Sequence, residues 1–125
     1  MRDILGYSGR TVVVSGAATG MGAAVARTLV DLGAEVHALD VKPVTAPVAQ
    51  ATVVDLRERA SIDAAVAKLP AHVDRLFNCA GLPGPPFSNL DTTLVNFVGL
   101  RHLTEAVLPR IPSGGAVASI TSVAG

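Results

Sequence analysis

A glycine-rich turn near the beginning of the chain is the feature that most directly suggests chemistry. Gly16, Gly20 and Gly22 separate the apolar run Val12–Val14 from a stretch of small, helix-forming residues. A strand that ends at glycines and continues as a helix leaves backbone N–H groups and the positive end of the helix dipole at one point, where a phosphate binds favourably. The turn therefore predicts a phosphate-binding loop made of Gly16, Ala17, Ala18, Thr19, Gly20, Met21 and Gly22.

A carboxylate follows this turn at a spacing that suits a dinucleotide. Asp40 ends a second strand-like run, eighteen residues after Gly22. In a strand–helix–strand unit such an acid lies beside the adenosine ribose and accepts hydrogen bonds from its hydroxyls, whereas it repels a 2′-phosphate. We therefore predict NAD as the cofactor, with Asp40 and Val41 as contacts, although the nearby Lys42 weakens the preference over NADP. The alternative interpretation of Asp40 is an ordinary acid that faces water at a strand end.

The elements that must position these residues alternate between strand and helix. Strand-like runs cover Thr11–Ser15, Glu35–Asp40, Ala51–Asp55, Arg75–Cys79 and Ala116–Thr121. Helical patterns cover Met21–Leu32, Glu58–Leu69 and Asp91–Leu108. This alternation, with right-handed crossovers, predicts an α/β fold with a doubly wound, Rossmann-like parallel sheet. Pro43 and Pro47 oppose a regular helix between the second and third strands, so a loop is expected there.

The composition fits a buried sheet covered by helices. We expect one dinucleotide-binding domain over residues 1–125, of which half are hydrophobic and 16% charged. The formal net charge is zero, so a nucleic-acid partner is not expected, and the absence of a long apolar run argues against a membrane span. Cys79 is the only cysteine, which is consistent with a cytoplasmic protein. The three histidines share no metal-ligand spacing, so no metal site is predicted, and Arg57–Arg59 is interpreted as a solvated helix start.

Short motifs along the chain resemble those of the short-chain dehydrogenases/reductases. The glycine turn is similar to the family's T-G-x-x-x-G-x-G, with Ser15 in place of the leading threonine. The other motifs, in the family's order, are the adenine-side acid at Asp55–Leu56, N-x-A-G at Asn78–Gly81, N-x-x-G at Asn96–Gly99 and S-x-x-G at Ser122–Gly125. Together the five motifs cover essentially the whole chain.

The resemblance implies roles for these residues. Asp55 and Leu56 would contact the adenine side of the cofactor, and Asn78, Ala80 and Gly81 would contact it at the end of the fourth strand. The resemblance assigns catalytic roles to Ser122, which would hold the oxygen of the substrate, and to Asn96, which would support a proton-relay water. Without the family, Asn96 is interpreted as a hydrogen-bonded core amide, Ser122 as a strand-end cap and Cys79 as a small buried hydrophobe.

The implied activity is hydride transfer between NAD and a secondary alcohol or ketone, with a small hydrophobic alcohol or carbonyl compound as substrate. The proline-bearing link after Asp40 and the run Cys79–Leu82 resemble the bacterial 3α-hydroxysteroid dehydrogenase/carbonyl reductase subgroup. A hydroxysteroid is therefore one candidate substrate. Two other functions stay open: a non-catalytic NAD(H)-binding module, and a methyltransferase, which also uses a glycine turn and a strand-end acid.

The family's Tyr-x-x-x-Lys motif is absent from the printed residues, since the single tyrosine, Tyr7, precedes the first strand. We therefore expect the N-terminal half of a longer enzyme, truncated after the fifth strand and inactive alone. The helix over Asp91–Leu108 carries apolar residues on more than one face, which predicts that this half alone is marginally stable or self-associates. The full-length form is expected to be a homo-oligomer.

Overall fold

The computed structural model describes residues 3–121, and a parallel sheet of five strands forms its centre. The strands are β1 (Thr11–Ser15), β2 (Glu35–Asp40), β3 (Gln50–Val53), β4 (Arg75–Asn78) and β5 (Ala116–Ser119). They lie in the order β3-β2-β1-β4-β5, and each neighbouring pair is parallel. The prediction of a doubly wound α/β sheet is confirmed.

The helices cover both faces of this sheet. They are α1 (Gly20–Asp31), α2 (Arg59–Ala67), α3 (Asn89–Thr93), a π-helical segment (Leu94–Gly99), α4 (Leu100–Val107) and a short 3₁₀ turn (Leu108–Arg110). No helix among the described residues combines the length and the apolar character needed to cross a membrane.

The alternation of side chains along β1 divides the core into two layers. Val12, Val13 and Val14 are all fully buried. Val13 faces the layer that contains Leu76 and Leu103, whereas Val12 and Val14 face the opposite layer, beneath α1. A strand buried on both faces is typical of a parallel sheet, and it explains why the sequence of β1 is a continuous apolar run.

The predicted strands agree with the structure to within two residues. β3 begins at Gln50, one residue before its predicted start, and the other differences lie at carboxyl ends. β1 and β2 have the predicted bounds, but β3 ends at Val53, β4 at Asn78 and β5 at Ser119, each before the predicted end. The residues just beyond these ends are still of strand-forming types, so the sequence pattern includes them. In the structure they leave the hydrogen-bonded sheet and form the loops at its carboxyl edge. The predicted loop between β2 and β3 is confirmed.

The third predicted helix differs most from expectation. It begins at Asn89 because the Ser88 hydroxyl accepts a hydrogen bond from the Asp91 N–H at 3.0 Å, an N-cap that the sequence analysis missed. Its middle is π-helical rather than regular. Gly99 lies against the Leu56 carbonyl oxygen, where a Cβ atom would collide, so the helix approaches the loop after β3 closely. The expectation of apolar residues on several faces is met, because Phe97 is 60% and Val98 is 47% exposed.

Candidate functional site

A cleft of about 390 Å³ opens at the carboxyl edge of the sheet. It lies where the strand order reverses between β1 and β4, the place where open α/β sheets bind their ligands. Ten of the predicted cofactor contacts line it: Gly16, Thr19, Met21, Gly22, Asp40, Val41, Asp55, Leu56, Ala80 and Gly81. Ala17, Ala18, Gly20, Asn78 and Asn96 are not part of this lining, and Ser122 lies outside the described residues.

The glycine turn forms a cradle in which two positions, Gly16 and Gly22, leave no room for a side chain. Gly16 has a φ of 74°, and a Cβ atom there would lie 2.5 Å from the Ala80 nitrogen. A Cβ atom at Gly22 would collide with the Gly16 carbonyl oxygen. The turn can therefore approach β4 and close its corner only with glycine at these two positions. Ala17 is buried behind the turn, 1% exposed, and packs in the layer beneath α1.

The first turn of α1 faces this cradle. Thr19 occupies the N-cap position in an extended conformation and, within the described part of the chain, its hydroxyl makes no capping hydrogen bond. The first N–H groups of a helix have no partner within the helix, so they are available to a ligand here. A glycine cradle beneath an uncapped helix start fits a pyrophosphate.

Asp40 links the second strand to the glycine turn. Its Oδ2 accepts a hydrogen bond from the Ala18 N–H at 2.9 Å, and its Oδ1 accepts one from the Lys42 N–H at 2.9 Å. Each carboxylate oxygen has two acceptor positions, so Asp40 can still accept one further bond on each oxygen. Ala18 thus orients the carboxylate, although it does not line the cleft itself.

Asp55 is held by an arginine that the sequence analysis interpreted only as part of a solvated helix start. Arg57 donates from Nε to Asp55 Oδ1 at 3.0 Å and from Nη2 to Asp55 Oδ2 at 2.8 Å. It also donates from Nη1 to Asp91 Oδ2 at 3.3 Å. These hydrogen bonds hold the pKa of the Asp55 carboxyl below its ordinary value of 3.8. Although its side chain is 44% exposed, Arg57 lines the cleft, so that interpretation missed its place in the site.

Asn78 turns away from the cleft and joins a buried polar network. It is 4% exposed, and its Nδ2 donates to the Thr104 hydroxyl on α4 at 3.0 Å. Its Oδ1 accepts from the Ser15 hydroxyl at 3.4 Å, and that hydroxyl accepts from the Ala80 N–H at 3.4 Å. The side chain of Asn78 therefore ties β4 to β1 and α4 and positions the residues after it.

Asn96 pairs with the backbone of the loop after β4. Its Oδ1 accepts from the Leu82 N–H at 2.7 Å, and its Nδ2 donates to the Leu82 carbonyl at 2.8 Å. The interpretation of a core amide is wrong, because Asn96 is exposed, but both ends of the amide are satisfied as expected. It lies in the π-helical segment, a feature that is frequent at functional sites. Asn96 thereby fixes one wall of the cleft.

Cys79 lines the cleft between these motifs. Burial raises the pKa of its thiol, so it stays protonated and behaves as a small apolar side chain. Among residues 3–121, no group of three histidine, cysteine, aspartate or glutamate side chains is placed to hold a metal ion.

Comparisons with known proteins point in one direction. A family model described as short chain dehydrogenase matches residues 10–125. The coniferyl-alcohol dehydrogenase of Pseudomonas sp. (strain HR199 / DSM 7063) is 39% identical over 116 residues, which are 93% of this chain and 45% of that protein. The 3-alpha-hydroxysteroid dehydrogenase/carbonyl reductase of Comamonas testosteroni is 34% identical over 110 residues, 87% of this chain and 42% of that protein.

A solved structure supports the fold. The RhlG/NADP active-site complex of Pseudomonas aeruginosa matches with a TM-score of 0.83 at 23% identity, covering 99% of this chain and 59% of that one. The present chain spans about half the length of the curated relatives it matches.

Proposed function

Because this chain belongs to the short-chain dehydrogenase family, we propose that it binds NAD and serves hydride transfer between the nicotinamide and a secondary alcohol or ketone. The observation that carries the proposal is the close-packed glycine turn before the uncapped start of α1, with the Asp40 carboxylate held at its rim by the Ala18 N–H at 2.9 Å. A bound nicotinamide supplies or accepts the hydride.

Each part of the cleft has a role in this proposal. The N–H groups at the start of α1 hold the pyrophosphate, and Asp40 accepts hydrogen bonds from the ribose hydroxyls. Val41 and Leu56 contact the adenine, with Asp55 as an acceptor at its edge. Ala80 and Gly81 allow the cofactor to approach the backbone after β4. Residues 1–125 form one dinucleotide-binding domain.

The preference for NAD rests on the charge of Asp40. A 2′-phosphate there would be repelled by the negative charge of Asp40. The carboxylate also has no hydrogen to donate to a phosphate oxygen. Lys42 also lines the cleft, and its backbone N–H binds Asp40, so its positive charge opposes this preference. The solved relative with NADP is 23% identical, so its cofactor does not decide the question for this chain.

The test is a titration of the purified protein with NADH and NADPH, monitored by nicotinamide fluorescence. We expect tighter binding of NADH, and we expect Asp40→Ala and Asp40→Asn each to reduce the ratio of the two affinities by about tenfold, because both remove the charge. Asp31→Ala, an exposed acid at the end of α1, is the matched control. Absence of NADH binding would contradict the proposed function, and an unchanged ratio in both Asp40 variants would contradict the NAD preference alone.

The substrate is proposed from the relatives. The names of both curated relatives describe enzymes that act on hydrophobic alcohols. We propose a small hydrophobic alcohol or carbonyl compound, with a hydroxysteroid and a phenylpropanoid alcohol as the first candidates. Ser122 would hold the substrate oxygen, and Asn96 acts through the loop it binds at Leu82.

A non-catalytic NAD(H)-binding module is the second candidate function. The hydrogen bonds of Asp40 and Arg57 at the cleft suit the binding and orientation of a ligand. NADH binding without oxidation across a panel of hydrophobic carbonyl compounds would favour this module. Family membership favours both candidates over a methyltransferase. We also propose a cytoplasmic location and a homo-oligomeric full-length form, which would cover the exposed Phe97 and Val98.

A further inference from the structure

Arg57 is fixed at the rim of the cleft more firmly than an exposed arginine normally is. Its guanidinium makes a side-on, two-point pair with Asp55, at 3.0 and 2.8 Å, and a third contact with Asp91 at 3.3 Å. Asp55 Oδ1 also accepts the Arg57 backbone N–H at 2.9 Å. The two carboxylates come from separate elements, one from the loop after β3 and the other from α3.

This arrangement leaves the flat faces of the guanidinium as its main contact surface. The hydrogen bonds of an arginine lie in the plane of the guanidinium, and the two acids occupy most of that edge. A planar cation held in this way stacks well on aromatic rings, including nucleic-acid bases. Val41, Val54 and Leu56 also line the cleft, and they follow the neighbouring strands β2 and β3, whose ends are in register at Asp40 and Val53. Arg57 therefore lies close to aliphatic side chains at these strand ends.

We propose that Arg57 is a purine-contact residue, whose guanidinium stacks on the face of the adenine and is kept flat by Asp55 and Asp91. This inference rests on the proposed function, since it assigns the adenosine half of the dinucleotide to this part of the cleft. Arg57 is then a determinant of cofactor affinity that the family motifs do not include.

A contact between Arg57 and a 2′-phosphate is the competing role. Two of its five N–H donors are not used by the acids and could reach an anion. However, the cluster of Arg57, Asp55 and Asp91 carries one net negative charge, and Asp40 adds another at the end of the neighbouring strand. A phosphate dianion would meet repulsion here, whereas a neutral base would not.

The experiment compares Arg57→Ala and Arg57→Lys with the unmodified protein. The ligands are NADH, NADPH and reduced nicotinamide mononucleotide, which lacks the adenosine half. We expect about tenfold weaker NADH binding in both variants, since lysine keeps the charge but has no plane to stack. Binding of the mononucleotide is expected to stay unchanged in both. Arg59→Ala is the matched control, because Arg59 is exposed on α2 and does not line the cleft.

The possible outcomes separate the two proposals. If the unmodified protein binds NADH and Arg57→Ala binds it equally well, the role of Arg57 is overturned while the proposed function stands. Rescue of affinity by lysine, a loss confined to NADPH, or an equal loss for the mononucleotide would each overturn stacking, in favour of a charge, phosphate or structural role respectively. If the unmodified protein does not bind NADH, both proposals fail.

Discussion

The two edges of the sheet use charged side chains in opposite ways. At the carboxyl edge, Asp40 accepts one hydrogen bond on each oxygen and keeps acceptor positions that face a cleft. At the amino edge, Asp74 is 6% exposed; its carboxylate accepts the Thr11 N–H at 2.9 Å and lies 2.8 Å from His72 Nε2 and 3.6 Å from Arg10 Nη1. The Asp74 carbonyl also accepts bonds from the Arg75 side chain and the Ala116 N–H.

This difference separates a site from a structural cluster. Both edges hold an acid at the end of a strand, so the residue type alone does not tell them apart. What distinguishes them is burial and the charge of their neighbours. Asp40 is half-buried and accepts bonds from two backbone N–H groups only, whereas the buried Asp74 carboxylate also contacts the side chains of His72 and Arg10. The buried cluster around Asp74 joins the starts of β1, β4 and β5.

The largest effect is expected from adding a methyl group to the glycine turn at the carboxyl edge of the sheet. Gly16→Ala places a Cβ atom 2.5 Å from the Ala80 nitrogen at a φ of 74°. We expect the free energy of unfolding to fall by about 3 kcal/mol, and NADH binding to be lost, because the turn must move away from β4. Urea unfolding and fluorescence titration measure the two effects.

The matched control is Gly9→Ala, since Gly9 has a nearly equal φ of 73° but no atom within 4 Å of the added Cβ. It should lose only about 1 kcal/mol, the cost of the backbone conformation, and retain NADH binding. Equal losses in the two variants would show that the close approach of the turn to Ala80 does not matter.

The next largest effect is expected at the amino edge of the sheet, where Asp74 lies. Asp74→Ala removes the acceptor of the Thr11 N–H, and we expect a loss of about 2 kcal/mol in the free energy of unfolding with unchanged NADH affinity. Asp63→Ala is the control, because Asp63 also contacts a histidine, His102 at 2.7 Å, but is 58% exposed. A fall in NADH affinity for Asp74→Ala would contradict the separation of the two edges.

The contribution of Asp74 to the free energy of unfolding is expected to depend on pH. Burial by itself raises the pKa of Asp74, but the Thr11 N–H, His72 and Arg10 outweigh it, so the pKa lies below its ordinary value of 3.8. The carboxylate therefore stabilises the fold above that pH, and this contribution is lost as the pH falls through the folded-state pKa. The stability difference between the unmodified protein and Asp74→Ala should shrink on acidification from about pH 7 to about pH 3. A constant difference would show that the charge of Asp74 does not contribute.

The smallest effect is expected at the wall of the cleft. Asn96→Ala removes both hydrogen bonds to Leu82, at 2.7 and 2.8 Å, but the site is exposed and water can replace them. We expect a stability loss of about 1 kcal/mol and faster hydrogen exchange at the Leu82 amide. Asn89→Ala, at the exposed start of α3, should not alter that exchange. Unchanged exchange in Asn96→Ala would mean that the loop holds its position without this amide.

The sequence by itself determined the parallel sheet, the glycine turn and the place of Asp40. These features depend on local patterns: an apolar run, a change of period from strand to helix, and glycines that a tight corner requires. Local patterns placed the ends of the other strands only to within two residues, and the family motifs supplied the predicted contacts just beyond β3 and β4. The cofactor-binding roles of these residues, and the proposed contact of Ser122 with the substrate oxygen, stay predictions.

Only the tertiary structure decided which way the polar side chains turn and what they contact. Asn78 faces Thr104, Arg57 reaches Asp91, and Asn96 pairs with Leu82, in each case across a loop or between separate elements. The sequence spacing of such partners carries no periodic signal, because their distance is set by how helices and loops pack on the sheet. The same packing makes the exposed Arg57 part of the cleft wall and buries the side chain of Asn78 in the core.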